Sequence, residues 1–481
     1  MQQTSLRKNA ILNIVYRLSS IVFPLITYPY VSRVLTTENM GRISFFSSLS
    51  NYMLLIGSLG IYTYGVRIVA QARDSRRDLS IIVKELLILN SAVTGVTLAV
   101  LIFFVVFTEK FQNNMSLFVI SCLQIAMAPL GIEWLYGGLE QYGYIARRAI
   151  SLKIASLILI FIFVKDKNDY VIYATITCIG YIANYLCNFI HSMKFIDWNV
   201  NTKWQFKRHI NSVLVLFASM LAINVYTNVN IIMLGIICGN RAVGLYDIAS
   251  KGQLVLLSLI NSVSSVLFPR LSYYLMTNDI KSYNAVLNES VSVILSIAIP
   301  IAAFFSLEAR NIILVLGGEE YLPAANCMRI LAPILIISGF SNITGNQILL
   351  PHGHDGAFMK AVSAGALVAI MLNLFFMPRY CFLGAAMVTL FAEFVQMSIQ
   401  FIYSRKYLRN NVDLSEIIKI IYSTFLSIIP IFIMMFYFIY HPIINLIIHF
   451  CIFTILYILF AFRFKMIIIK ELYARFSHMV N

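Results

Sequence analysis

Ionisable side chains inside long apolar runs are the residues of this sequence best placed to do chemistry. A charge at bilayer depth costs at least about 2.5–3.5 kcal/mol, so it faces protein or a water-filled cavity. Arg17 shares one helical face with Asn13, Ser20, Pro24 and Thr27, spaced i, i+4, i+7, i+11 and i+14 from Asn13. Lys251 follows Asp247 by four residues, with Ser258, Ser262 and Ser265 on nearly the same face. Arg329 stands one turn inside another apolar run, and Glu393 lies near the middle of a further one.

Each residue type suggests a role. Buried cations attract an anion: Arg offers a bidentate fork suited to phosphate, and Lys a point charge. Ser48 and Asn51, and then Asn224 and Asn228, form uncharged faces able to hydrogen-bond a hydroxyl-rich ligand. A carboxylate at depth, such as Glu393 or Asp247, is the group type that couples transport to an ion. Each also has a plainer reading. Arg17 can snorkel to headgroups, Arg329 can lie at the interface, and Asp247 can simply neutralise Lys251. Glu393 can pair structurally with a neighbouring helix, and Ser and Asn can serve packing alone.

The pattern excludes other chemistry. His352 and His354 in "PHGHDG" lack further metal ligands nearby, and there is no phosphate-cradling "GxxxxGK" loop for ATP. No catalytic cluster, metal site or cofactor is expected. The seven Cys all lie in or beside apolar runs and read as packing residues.

The elements that position these residues are transmembrane helices. Of 481 residues, 60% are hydrophobic and 12% charged, where a soluble domain carries roughly 25% charged residues. Apolar windows predict helices near 10–34, 41–64, 85–107, 116–138, 149–164 and 170–190. After a basic stretch come 212–238, 246–268, 289–316, 325–350, 357–377 and 381–404, then a pair near 416–439 and 443–462. The fold class is thus all-α and polytopic, with about 14 transmembrane helices. It divides into a six-helix bundle over 1–190, a cytoplasmic linker over 191–211, a second six-helix bundle over 212–404, and a C-terminal helix pair with a tail over 405–481. The first apolar run is too long for a cleaved signal and is expected to remain as the first membrane helix.

A net charge of +15 reflects the positive-inside rule rather than nucleic-acid binding. One set of breaks holds Arg7, Lys8, Arg67, Arg73, Arg76, Arg77, Lys84, Arg147, Arg148, Lys153, Lys194, Lys203, Lys207, Arg208, Arg270, Lys281, Lys360, Arg405, Lys406, Arg409, Lys419, Arg463, Lys465, Lys470 and Arg475. The other holds only Arg42, Lys110, Lys165, Lys167, Arg241 and Arg379. The bias of roughly four to one places both termini in the cytoplasm.

Faint self-similarity joins the halves: "NMGRISFFSSLS" (39–50) matches "AVGLYDIASKGQ" (242–253), and "GYIARR" (143–148) corresponds to "GAFMKA" (356–361). Four ordered segments carry a wider resemblance: "GSLGIYTYGVRIVAQARD" (57–74), "IEWLYGGLEQYGYIARR" (132–148), "VGLYDIASKGQ" (243–253) and "GNQILLPHGHDGAFMKA" (345–361). With these the chain resembles the Wzx-type polysaccharide repeat-unit flippases of the multidrug/oligosaccharidyl-lipid/polysaccharide exporter superfamily.

The resemblance implies two six-helix bundles in a V, moving undecaprenyl-diphosphate-linked oligosaccharide from the inner to the outer leaflet of a bacterial cytoplasmic membrane. It implies ion-coupled alternating access, a place in capsule or O-antigen assembly, and polymerase and chain-length machinery as partners. The similar lipid II flippases line their cavity with cations, and Arg17 and Lys251 match two such positions. Ser48 and Asn51 stand where an arginine is expected, which makes this cavity less cationic. The alternatives are a lipid II flippase or multidrug exporter of the same superfamily, or a membrane-embedded polymerase or glycosyltransferase. Short external breaks such as "TTENM" and "PRYC" argue against the last.

Overall fold

The structure is a computed structural model of the chain that describes residues 6–106, 109–200, 204–408, 413–437 and 441–469. Helices fill it in the order α1 Leu6–Val34, α2 Thr37–Ser58, α3 Ile61–Ala72, α4 Arg76–Val106, α5 Glu109–Gln112, α6 Met115–Met127, α7 Glu133–Gly138, α8 Tyr142–Phe163 and α9 Tyr170–Ser192. The chain continues with α10 Lys207–Ile237, α11 Asn240–Met276, α12 Ile280–Leu307, α13 Ala309–Gly317, α14 Ala324–Leu331 and α15 Ile334–Asn342. A π-helical turn at Ile343–Leu349 leads to α16 Asp355–Leu408, α17 Leu414–Tyr437 and α18 Pro442–Arg463.

Among the described residues, the apolar segments expected from the sequence fall largely on helix. Among the described residues nine helices are long and apolar enough to cross a membrane, and the bent pair α2–α3 makes a tenth. One of the nine is α16, whose 54 residues far exceed the roughly 20 needed to cross about 30 Å of hydrocarbon. It is two helices joined at Cys381, where the backbone turns to φ 47° and ψ −121° just after Pro378. Gly384 permits that fold-back, because a Cβ there would lie 2.5 Å from the Phe376 carbonyl oxygen.

Local signals explain other ends. The Thr36 hydroxyl accepts from the Asn39 amide at the start of α2, and Asp279 accepts from the Ser282 amide at 3.1 Å before α12. Leu59 and Gly60, with φ of 45° and 71°, end α2 and turn the chain by 41° into α3. Large apolar side chains stand exposed throughout, among them Phe103, Ile162, Val266, Met371 and Phe436. In water such a surface aggregates, whereas in lipid it is the solvated face.

The chain forms two compact units, Met1–Ile232 and Met233–Asn481, divided within α10. In the N-terminal unit Trp134, Tyr136, Leu86 and Ile61 form one core, and Phe45, Phe46, Phe111 and Phe118 another. Gly65 admits the Trp134 indole, since a Cβ there would come within 2.7 Å of it. In the C-terminal unit α12 packs against α11, α15 and α17, and α17 against α18.

The start of α10 and the residue Gln205 before it are fastened by one buried carboxylate. Glu85 of α4 accepts from Arg208 Nη2 at 2.6 Å, from the Gln205 amide at 2.6 Å, and lies 2.8 Å from His209 Nε2. The Tyr64 hydroxyl sits 2.7 Å from His209 Nδ1. Burial pushes the His209 imidazole below its ordinary range, against the opposing hydrogen bond to Glu85.

Candidate functional site

Polar residues of the N-terminal unit gather in two places. The first is a cavity of about 470 Å³ whose polar lining comes from Asn51, Tyr52 and Ser58 of α2, Asn90 and Thr94 of α4, and Tyr185 of α9. Small residues make it possible: a Cβ at Gly57 would stand 2.9 Å from Thr94 Oγ1, so glycine lets α2 and α4 approach. Asn51 is exposed into this space, while Ser48, one turn earlier, is buried. The lining offers amides and hydroxyls without a charge, which suits a neutral, hydroxyl-bearing group.

The second place surrounds Lys153. Sequence reasoning set this lysine among the cytoplasmic charges, with the helix beginning near 149. Instead α8 begins at Tyr142 and carries Lys153 eleven residues inside, about 16 Å along the axis. Its ammonium donates to Ser20 Oγ at 2.8 Å and Ser19 Oγ at 3.2 Å, both on α1. It also lies 5.5 Å from the Tyr16 ring centre and 6.0 Å from that of Phe23. Lys153 therefore joins the polar face of α1 foreseen from Ser20 and its neighbours.

Arg148, earlier on the same helix, is buried, with Nη2 3.8 Å from Glu133 Oε1 and its guanidinium over the Tyr144 ring. The Tyr16 hydroxyl donates to Glu133 at 3.3 Å. Among the described residues this cluster thus holds two cations to one carboxylate. Glu140 pairs with Arg73 at 3.5 Å.

In the C-terminal unit Lys251 and Asp247 are joined on α11, Nζ to Oδ2 2.7 Å. The carboxylate is buried and the ammonium exposed. Arg329 is exposed and bonds Asn326 of its own helix at 2.8 Å. Glu393 is half-buried on the second limb of α16. The side chains of Asn13, Arg17, Asn224 and Asn228 fall outside the described residues.

A polar network surrounds the π-helical turn. Gln347 accepts from Ser290 at 2.6 Å and donates to Ser264 at 2.9 Å. Gln400 accepts from Ser341 at 2.7 Å and Thr344 at 3.0 Å. Beside it runs an amide ladder in which Asn346 donates to Asn342, and Asn342 to Asn261, each at 2.5 Å. Glutamines in apolar runs were the available signal; π-turns are common at functional positions, but the sequence gives them no mark.

A family model described as "Polysaccharide biosynthesis protein" matches residues 6–275, more than half of the chain. The chain belongs to that family. A curated relative from Escherichia coli K12, named "Putative O-antigen transporter", is 24% identical over 413 residues, covering 83% of this chain and 97% of the relative. A relative of the same name from Shigella dysenteriae is 24% identical over 404 residues, covering 81% and 97%. Among solved structures, the lipid II flippase MurJ in an inward closed conformation superposes with a TM-score of 0.77 at 16% identity, covering 95% of this chain and 99% of that one. An inward-facing multidrug resistance MATE transporter of the MOP superfamily gives 0.62 at 13% identity, covering 83% and 98%. The fold is thus that of the exporter superfamily the sequence resembled.

Proposed function

We propose that this protein is a flippase moving oligosaccharide linked to undecaprenyl diphosphate from the inner to the outer leaflet of a bacterial cytoplasmic membrane, driven by an ion gradient. The observation that carries the reading is Lys153, a cation within α8 seated on two serine hydroxyls of α1 rather than on a carboxylate. Two cations against the one Glu133 carboxylate leave this cluster a net positive charge in a weakly screening medium, where attraction to a diphosphate exceeds its value in water several-fold.

The exposed Lys251 offers the C-terminal unit a cation of its own. Arg17, on the helical face that Ser20 shares, supplies a bidentate phosphate contact in this reading. The uncharged cavity around Asn51 and Asn90 is suited to sugar hydroxyls, and the exposed apolar surface to a polyprenyl tail. The names of the Escherichia coli and Shigella relatives support a role in O-antigen or capsule assembly, with polymerase and chain-length machinery as partners. A drug exporter of the same fold instead needs carboxylates facing a cationic ligand.

Reconstitution of purified protein into liposomes with a fluorescent lipid-linked oligosaccharide tests the proposal through protein-dependent leaflet exchange. Exchange that is absent for the oligosaccharide while a cationic dye is transported would favour the drug-exporter reading.

A further inference from the structure

Glu308 stands at the break between α12 and α13, and its side chain is sealed from solvent. His449 of α18 is also buried and places Nδ1 2.7 Å from Glu308 Oε1, while the Asn311 amide donates to Oε2 at 2.7 Å. Of these two partners only the imidazole can carry charge.

Glu85 in the N-terminal unit makes the contrast. It too is buried against a histidine, but Arg208 lies at 2.6 Å and supplies a permanent positive charge. A buried carboxylate facing guanidinium is compensated at any cellular pH. One facing imidazole is compensated only while the ring holds its second proton.

Ionisable groups on α12, α13, α17 and α18 are engaged elsewhere, exposed or distant along the helix. Arg310 on α13 is exposed, as are Tyr422 on α17 and His441 at the start of α18. Glu416 and Lys419 on α17 pair at 3.2 Å, where Glu416 also accepts from the Ile467 amide. Tyr457 on α18 donates to the Ser296 carbonyl at 2.8 Å. Lys281, Tyr283 and Glu289 lie toward the opposite end of α12.

We propose that Glu308 and His449 together bind the proton that couples transport to the membrane gradient; this rests on the ion-coupled flippase reading above. In the unloaded pair Nδ1–H donates to the Glu308 carboxylate and Nε2 holds a lone pair, for a charge of −1. Uptake of one proton at Nε2 yields imidazolium beside carboxylate, for a charge of zero. The charge bias along the chain sets both residues toward the external ends of their helices, on the side that supplies protons. The loaded pair holds α18 against α12 and α13, where Phe304 also meets Phe450 and Phe453 at 5.7 and 5.2 Å. Losing the proton leaves an uncompensated charge in that contact and loosens α18.

The test is leaflet exchange in proteoliposomes with and without an imposed pH gradient. Wild type should exchange at least about fivefold faster with the gradient, the lower end of usual coupling strengths. His449→Gln and Glu308→Gln should each lose that response while exchange without a gradient remains measurable. The double variant Glu308→Gln/His449→Gln can restore an amide hydrogen bond across the contact, so a merely structural pair predicts recovery of the response and a proton site predicts none. Retention of the response in His449→Gln overturns the proposal, as does its loss in Glu393→Gln alone. Melting in detergent reads the pair without transport. Wild type should lose stability on alkalinisation relative to the double variant, and parallel profiles would overturn the proposal even if no exchange were found. Absence of exchange in wild type would instead count against the flippase reading.

Discussion

Lys251 reaches back one turn along α11 to Asp247, Nζ to Oδ2 2.7 Å, with the carboxylate 4% and the lysine 45% exposed. The arrangement is asymmetric: the carboxylate is covered and the ammonium faces outward. Asp247 therefore holds the ammonium in a charged hydrogen bond while the lysine side chain stays partly exposed. Lys251→Ala should lower leaflet exchange at least about tenfold, a change worth roughly 1.4 kcal/mol, without loss of membrane abundance. Lys251→Arg should restore much of it, because position and charge matter more than shape. If Lys251 served only to neutralise Asp247, the double change Asp247→Ala/Lys251→Ala would recover what Lys251→Ala lost.

Lys153 gives the corresponding prediction for the N-terminal unit. Lys153→Ala should reduce exchange by about tenfold or more, and Ser20→Ala by less, because the hydroxyl only positions the ammonium. Binding of undecaprenyl diphosphate without sugar should weaken in Lys153→Ala by a similar factor. Unchanged binding would separate Lys153 from the diphosphate. Arg17 is expected to behave differently, with Arg17→Lys restoring little if its contact is bidentate.

Much of this arrangement was legible in the sequence, and the reasons are local. Apolar windows found the helices because membrane spans must be long and satisfy their own backbone, and "PRYC" marked the break at Cys381 because proline and a following turn interrupt helical bonding. Spacing of four residues sufficed to join Asp247 with Lys251. Arg147, Arg148 and Lys153 read together as a cytoplasmic run, and their partners lay beyond local spacing. What lets α8 carry them is Glu133 beside Arg148 and the hydroxyls of Ser19 and Ser20 beside Lys153, which tertiary packing brings from remote segments. Glu308 and His449 meet across 141 positions of chain, and Glu85 and Arg208 across 123, beyond the reach of any periodicity.

The Glu85 cluster makes a prediction about stability rather than transport. Arg208→Ala removes a charged hydrogen bond to a fully buried carboxylate and should cost about 1.5–3 kcal/mol. Thermal melting in detergent would register this as a lower midpoint. A midpoint equal to that of wild type would show that the start of α10 is held by other contacts.

Topology is tested separately, since it rests on the distribution of Lys and Arg. On a cysteine-free background, cysteines at Lys203 and Arg475 should resist a membrane-impermeant reagent in intact cells. Cysteines at Lys167 and Arg379 should react. Labelling at 203 from outside would reverse the orientation, and with it the direction of transport proposed above.

The most direct measurement is the rate at which a fluorescent undecaprenyl-diphosphate-linked oligosaccharide changes leaflet in proteoliposomes, compared between wild type and the double variant Lys153→Ala/Lys251→Ala. A flippase whose cations receive the diphosphate predicts protein-dependent exchange in wild type and a loss of at least about a hundredfold in the variant, if the two sites contribute independently. Full exchange in the double variant, from protein of equal abundance and stability, would contradict that account.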